Sequence, residues 1–294
     1  MKTKLIFSLI GLLLAGSTLS AQTSVWKVTK ERRTVYLGGT CPMLRAADYP
    51  LPKEFDLAFA AAPQICFETD LARLQSPEVQ QSIAVRSVSP DGATLNKTLN
   101  ADSWKSVQEY CGMAGIPEDN LTKARAWSCR TMLRSVEMQK EGVMPKRMDT
   151  QFYLKTVGTP KVVIGLDTVE QHVDFLTRMG VGHESEMIEY TLQEISGMPE
   201  KQEAMINAWK TGDLTKLDEL MLKSLRSDHP ALYSEMITQR SSAWLPKIES
   251  LFQTSKAKFV LVDVGNLAGP EGLLAQLQKR GYTIEQFKST DVRL

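Results

Sequence analysis

Histidine is scarce in this chain: three among 294 residues, His172, His183 and His229. His172 reads as a helical residue beside Gln171, and the other two sit in loops flanked by Gly or Pro. None occupies a motif position, so each is read as an ordinary histidine rather than a metal ligand. Other signatures are missing as well. There is no Gly-x-Ser-x-Gly segment with a suitably placed histidine, which excludes the serine-hydrolase pattern. The Gly38-Gly39 turn fits neither the Walker nor the dinucleotide fingerprint, which removes nucleotide binding. With 35 basic and 34 acidic side chains and a net charge of +1, there is no electrostatic case for nucleic acid or an anionic membrane surface. The basic cluster Lys30-Glu31-Arg32-Arg33 is short and mixed with acid, as on a solvated face. No segment beyond the first two dozen residues is apolar and long enough to cross a bilayer.

Cysteine is limited to Cys41, Cys66, Cys111 and Cys129, with no Cys-x-x-Cys pair, which leaves thiol exchange and structural zinc weakly supported. The first residues set the compartment. Met1-Lys2-Thr3-Lys4 is basic, residues 5–16 are apolar, and small residues follow to Ala21. That is the layout of a secretory signal peptide spanning 1–21, cleaved after Ser20 or Ala21. No cysteine follows the cleavage region, which disfavours a lipid anchor. The expected product is a periplasmic or secreted protein, residues 22–294, folded as a single domain. In such an oxidising compartment an even cysteine count favours disulfides. Cys111 with Cys129 is the expected pair, closing a short loop worth about 3 kcal/mol in the chain-entropy model. Cys41 and Cys66, at the ends of strands read as neighbours, would either bond or leave one reactive thiol.

Elements alternate along the mature chain. Ser24–Val28 and Arg33–Leu37 read as a hairpin. Pro52 suits the first turn of a helix over Phe55–Ala62. Gln64–Phe67 is a buried strand running into acids at Glu68 and Asp70. Residues 104–141 are helical, interrupted at Gly115-Ile116-Pro117. Strand Lys161–Leu166 precedes a helix capped by Thr168. Residues 184–252 are helical with one break, where Gly212 stops a helix and Asp213 caps the next. Within them Leu214, Leu217, Leu220, Met221 and Leu225 form a stripe read as core packing. Strand Lys258–Val262, helix Glu271–Gly281 and strand Tyr282–Phe287 close the chain. The pattern predicts an α/β fold: a mixed central sheet flanked by helices, with a long helical insertion before the C-terminal strand-helix-strand unit.

Two segments share one plan, an apolar strand, a tight turn and a helix. One is Thr34–Leu37 running into Gly38-Gly39-Thr40-Cys41-Pro42; the other is Phe259–Val262 running into Asp263-Val264-Gly265-Asn266. The carboxyl ends of strands are where α/β folds place their chemistry. Together with Trp26-Lys27-Val28, Asp48-Tyr49-Pro50-Leu51-Pro52, Phe67-Glu68-Thr69-Asp70, Met148-Asp149 and Gly165 to Gln171, these segments resemble the TraB/GumN family, which includes Tiki-type metalloproteases. Trp209-Lys210-Thr211-Gly212-Asp213, Arg240 with Trp244, Leu267 to Leu274 and Arg280-Gly281-Tyr282 extend the resemblance over nearly all of the mature chain.

The resemblance implies a metal-dependent hydrolase built on two Gly-x-x-His turns and a carboxylate, in which a divalent ion would activate water and polarise a peptide carbonyl. Matched by position, the carboxylate is Glu68, whereas the two histidine positions hold Pro42 and Asn266. The second turn has also lost its first glycine to Asp263, and the family's Arg-Asn pair is Arg240-Ser241. The expected function is therefore that of an exported pseudoenzyme. Its cleft, with Glu68, Glu170, Arg240 and Trp244 around it, would bind a peptide or an envelope protein without hydrolysing it or needing a cofactor. Glu68 is expected to pair with Arg240. One alternative is an active peptidase holding zinc, manganese or cobalt through Cys41, Glu68 and Asp263. Another is a purely structural envelope protein.

Overall fold

The computed structural model describes residues 23–89, 92–145 and 147–291. The segment read as a signal peptide lies outside them.

Six strands form one sheet among the described residues: β1 (Val25–Lys30), β2 (Arg33–Thr40), β3 (Gln64–Phe67), β4 (Val162–Gly165), β5 (Lys258–Asp263) and β6 (Thr283–Gln286). Their order is β4-β3-β5-β2-β1-β6. β2, β3, β4 and β5 are mutually parallel, and β1 is antiparallel to both β2 and β6. Five strands therefore share a direction and β1 alone opposes them, which makes this the mixed, helix-flanked α/β sheet expected. β1 and β2 form the predicted hairpin. Its turn, Glu31-Arg32, has both residues at positive φ, 50° and 65°, the two-residue turn whose twist matches that of its strands.

The helices used below are α1 (Lys53–Ala61), α2 (Ala101–Ala114), α3 (Ala126–Lys140), α4 (Val169–Arg178), α5 (Glu184–Ser196), α6 (Met198–Thr211), α7 (Gln239–Ser250) and α8 (Leu273–Lys279). Thr168 caps α4 through Gln171, which bonds back to the Thr168 N–H as a full capping box. Gly212 ends α6 at φ +64°, and Asp213 caps the turn that follows. The insertion breaks more often than expected. Gly197 separates α5 from α6, and His229-Pro230 separates two further short helices. Pro199 and Pro230 both lie in the first turn of a helix, where a missing N–H costs nothing. Two turns, Asp218–Leu222 and Ser234–Thr238, are wound as π-helix.

The insertion is tied to the sheet by Trp209, which is fully buried. Its indole N–H donates to the Gly39 carbonyl at 2.6 Å, and its own carbonyl accepts from Ser24 Oγ at 2.6 Å. Phe55 of α1 stacks on it at 5.6 Å. At Gly38 and Gly39 a Cβ would approach Phe259 and Val264 to 2.7 Å. The Gly-Gly pair is thus a packing requirement of β2 against β5 and the turn after it.

All four cysteines are buried free thiols in the structure. For Cys41 and Cys66 the topology rules out a mutual bond, one of the two expected outcomes. β5 lies between their strands, Cys66 pairs with Val260, and Cys41 follows Thr40, the partner of Asp263. Two strand spacings and about four residues of rise separate them by well over 10 Å, beyond the roughly 7 Å limit for a disulfide. Cys111 and Cys129 sit on α2 and α3, and burial pushes the Cys129 thiol up to about 12, with the neighbouring Cys111 sulfur adding to the rise.

Candidate functional site

Because β2, β3, β4 and β5 are parallel, the segments after them emerge at one edge of the sheet. The pairing of Thr40 with Asp263 sets the two resembling turns side by side. Pro42 and Asn266, the two degenerate motif positions, both line one cavity of about 430 Å³ together with Glu68, Asp263 and Arg240. The sequence pattern and the cavity thus point to the same end of the sheet.

Glu68 follows β3 and both its oxygens are engaged. Oε1 accepts the Asp263 backbone N–H at 2.9 Å, and Oε2 accepts Arg240 Nη2 at 2.8 Å. The expected Glu68–Arg240 pair is present. Burial alone would raise the Glu68 pKa, but Arg240, His172 and the Asp263 N–H outweigh it and hold the carboxyl below its ordinary value. Asp263 has the opposite fate: burial and the neighbouring Glu68 charge raise it to about 6, against which the Gly265 N–H acts. Its Oδ1 accepts that N–H at 2.9 Å and caps the Val264–Asn266 turn.

Arg240, on α7, is held from both sides. Its guanidinium lies 3.9 Å from the Phe175 ring centre and 4.2 Å from that of Trp244, a cation–π sandwich. Trp244 is fully buried and does not line the cavity; it packs beneath Arg240 and donates to Asp167 Oδ1 at 2.8 Å. Asp167 in turn takes Lys247 at 3.2 Å. Glu170 corrects the expectation for it. It is exposed and pairs with Arg73 on the surface, because the first turn of α4 points its side chain outward while Val169 and Val173 face inward.

Several groups at the site carry no sequence motif. His172, read as ordinary, has Nδ1 3.3 Å from Arg240 Nη2; burial lowers its pKa and Glu68 opposes this. It lies three residues before Phe175, so helical spacing placed it on the Arg240 face. His229 is buried edge-on against Tyr190 at 5.7 Å, with no partner for either ring nitrogen among the described residues. His183, as expected, lies in a loop beside Glu186. Across the cavity, Arg130 and Arg134 of α3 share one carboxylate, Glu194 of α5, at 3.0 and 2.9 Å. The stripe read as core packs as core at Leu217 and Leu225, which are buried, and at Leu214 and Met221, which lie against the same cluster; Leu220, Met221 and Leu225 also face the cavity.

The residues present do not fit the divalent ion that the resemblance implies. Pro42 has no side-chain donor, and Asn266 offers only a neutral amide oxygen. The substitute set fares no better. Burial pushes the Cys41 thiol up to about 12, so it is a neutral thiol rather than a thiolate, and it is not among the cavity's lining residues. Asp263 is committed to its own turn. Among the described residues no cluster of three or more His, Cys, Asp or Glu is arranged to hold a metal, and none of their helices is long and apolar enough to cross a membrane.

Asn266 is 7 % exposed with an unpartnered Oδ1, and Ser241, 1 % exposed, has an unpartnered Oγ. Both stand where the family pattern is altered. No curated protein and no solved structure matches the chain. The family model described as TraB/PrgY/gumN matches residues 24–286, the span that carries all six strands and every residue of the site, and the chain belongs to that family.

Proposed function

We propose that this is an exported, non-catalytic member of the family, a pseudoenzyme that uses the inherited cleft to bind a peptide or an envelope protein. The observation that carries the reading is the state of Glu68. The one ligand retained from the metal set has each oxygen engaged in one hydrogen bond, with Arg240 and with the Asp263 N–H, while Pro42 and Asn266 stand at the two histidine positions beside it. A cavity of about 430 Å³ that remains open at that point favours a binding role over a purely structural one, since it lies in the size range of small-ligand sites, roughly 300–1,000 Å³. The basic, apolar and small-residue order of residues 1–21 supports export to the periplasm or beyond.

The test uses the purified mature protein. Zinc, manganese and cobalt are titrated in, and a peptide mixture is then incubated with and without each ion. Retention of peptides uncleaved and independently of metal supports the reading. Stoichiometric metal binding with metal-dependent cleavage overturns it and returns Cys41, Glu68 and Asp263 to consideration as ligands.

A further inference from the structure

The cavity is more specific than a generic cleft. Six of the chain's thirteen methionines line it: Met43, Met179, Met198, Met205, Met221 and Met236. Methionine is unbranched, polarisable and adaptable, so such a wall suits a flexible apolar chain better than a rigid ring. Both π-helical turns contribute to that wall, through Met221 and Met236. π-turns are rare, and they concentrate at functional sites.

The polar part of the lining is unbalanced. Arg130, Arg134, Arg147, Lys201 and Arg240 face three acids, Glu68, Glu194 and Asp263. Arg240 is matched by Glu68, and Arg147 by Asp149 at 3.3 Å. Among the described residues Arg130 and Arg134 have Glu194 as their one acidic partner; Arg130 Nη1 also donates to Thr191 Oγ1 at 2.9 Å, and Arg134 Nε is buried without a partner. One positive charge in the cavity lining is therefore uncompensated by its immediate partners.

We propose that the cavity recognises a carboxylate carried on an unbranched apolar chain, with the Arg130–Arg134 pair taking the carboxylate and the methionines taking the chain. Arginine pairs hold carboxylates through short, charge-assisted hydrogen bonds. The chemistry is shared by a free fatty acid and by the C-terminus of a polypeptide ending in a long apolar residue. The second source rests on the peptide-binding reading above; the first does not.

Trp127 lines the cavity, so intrinsic fluorescence, checked by calorimetry, reports occupancy. The probes are dodecanoate against dodecanol, and a hexapeptide ending in norleucine as free acid against amide. The carboxylate form of at least one pair binds about tenfold or more tightly than its uncharged partner, the ratio expected from one charge-assisted hydrogen bond. Arg134→Gln removes that preference; Glu194 keeps Arg130 in this variant. Met236→Glu, which places a charge in the wall, abolishes binding while circular dichroism stays native. A preference for dodecanoate alone sustains the inference and removes the peptide source; a preference for the free-acid peptide alone sustains both. Equal affinity within each pair overturns the inference, although peptide binding indifferent to amidation leaves the proposed function standing. No binding of any probe overturns the inference as well.

Discussion

Arg240 and Glu68, 172 residues apart in sequence, meet at 2.8 Å with side chains only 5 % and 20 % exposed. Breaking such a pair from one side strands a charge, whereas replacing both partners removes the problem. Arg240→Met is therefore expected to lower unfolding free energy by about 3–5 kcal/mol, read from urea denaturation. The double variant Glu68→Gln with Arg240→Met recovers a large part of that loss. A double variant no more stable than Arg240→Met shows that the aromatic sandwich around the guanidinium, not the ion pair, holds α7 in place.

The two carboxyls at the site give opposite pH dependences. Glu68 has a folded pKa below its ordinary 4.5. Its contribution is present above that value and is lost as pH falls through the folded pKa. Asp263 is raised from 3.8 to about 6, so the folded state holds a proton that the unfolded state has released. Its contribution is full below about pH 3.8 and disappears as pH rises through 6. The difference amounts to about 3 kcal/mol at full ionisation. Asp263→Asn keeps the acceptor for the Gly265 N–H, so it is expected to be more stable than the parent at pH 7.5 by up to that amount. The gain shrinks toward pH 4. Thermal denaturation of both proteins across that range decides it, and a gain independent of pH removes Asp263 as its source.

The hairpin turn offers an independent handle on stability. Glu31 and Arg32 occupy the left-handed region without being glycine or asparagine, which costs roughly 1–2 kcal/mol per residue. Glu31→Asn with Arg32→Gly, the pair this turn prefers, is expected to raise stability by about 1 kcal/mol without touching the site. An unchanged or lower denaturation midpoint shows that the native side chains contribute contacts worth as much as the strain.

Much of this architecture was legible in the sequence because strands, caps and turns are local. Thr168 announced its helix cap, Gly212 its helix stop, and the two strand-turn segments proved to be adjacent parallel strands with Pro42 and Asn266 on one cavity. What was not legible depends on direction and register. Glu170 and His172 lie two apart on α4, so one faces solvent and the other Arg240; only the orientation of the helix decides which. The stripe from Leu214 to Leu225 has helical spacing and packs as core at Leu217 and Leu225, but spacing alone gave no sign that Leu220, Met221 and Leu225 also wall a cavity. Cys41 and Cys66 were read as neighbours because nothing local shows that β5, nearly 200 residues on, threads between them.

That placement of β5 makes the thiols a direct check on the sheet order. Alkylation of the denatured protein without reductant, followed by peptide mapping, is expected to label Cys41 and Cys66 in every preparation. Cys111 and Cys129 become labelled only where their helices have not been cross-linked by oxidation. A peptide joining Cys41 to Cys66 contradicts the order β3-β5-β2.

Restoring imidazoles at the two altered turns tests how far the scaffold has moved from metal binding. The register of Thr40 with Asp263 keeps the turns adjacent. Asn266 Oδ1 has no partner to lose, and Pro42 has no N–H, so neither replacement breaks an existing hydrogen bond made by those groups. Each Glu68 oxygen accepts one hydrogen bond and retains a second lone pair. Pro42→His with Asn266→His is therefore expected to bind one equivalent of zinc by calorimetry where the parent binds none above background. Adding Glu68→Gln abolishes that binding, because two imidazoles alone leave the ion without its anionic ligand. Zinc held equally well without the Glu68 carboxylate places the ion elsewhere. No zinc in the double variant means that Arg240, fixed between Phe175 and Trp244, holds Glu68 too firmly for the old chemistry to be recovered by two substitutions.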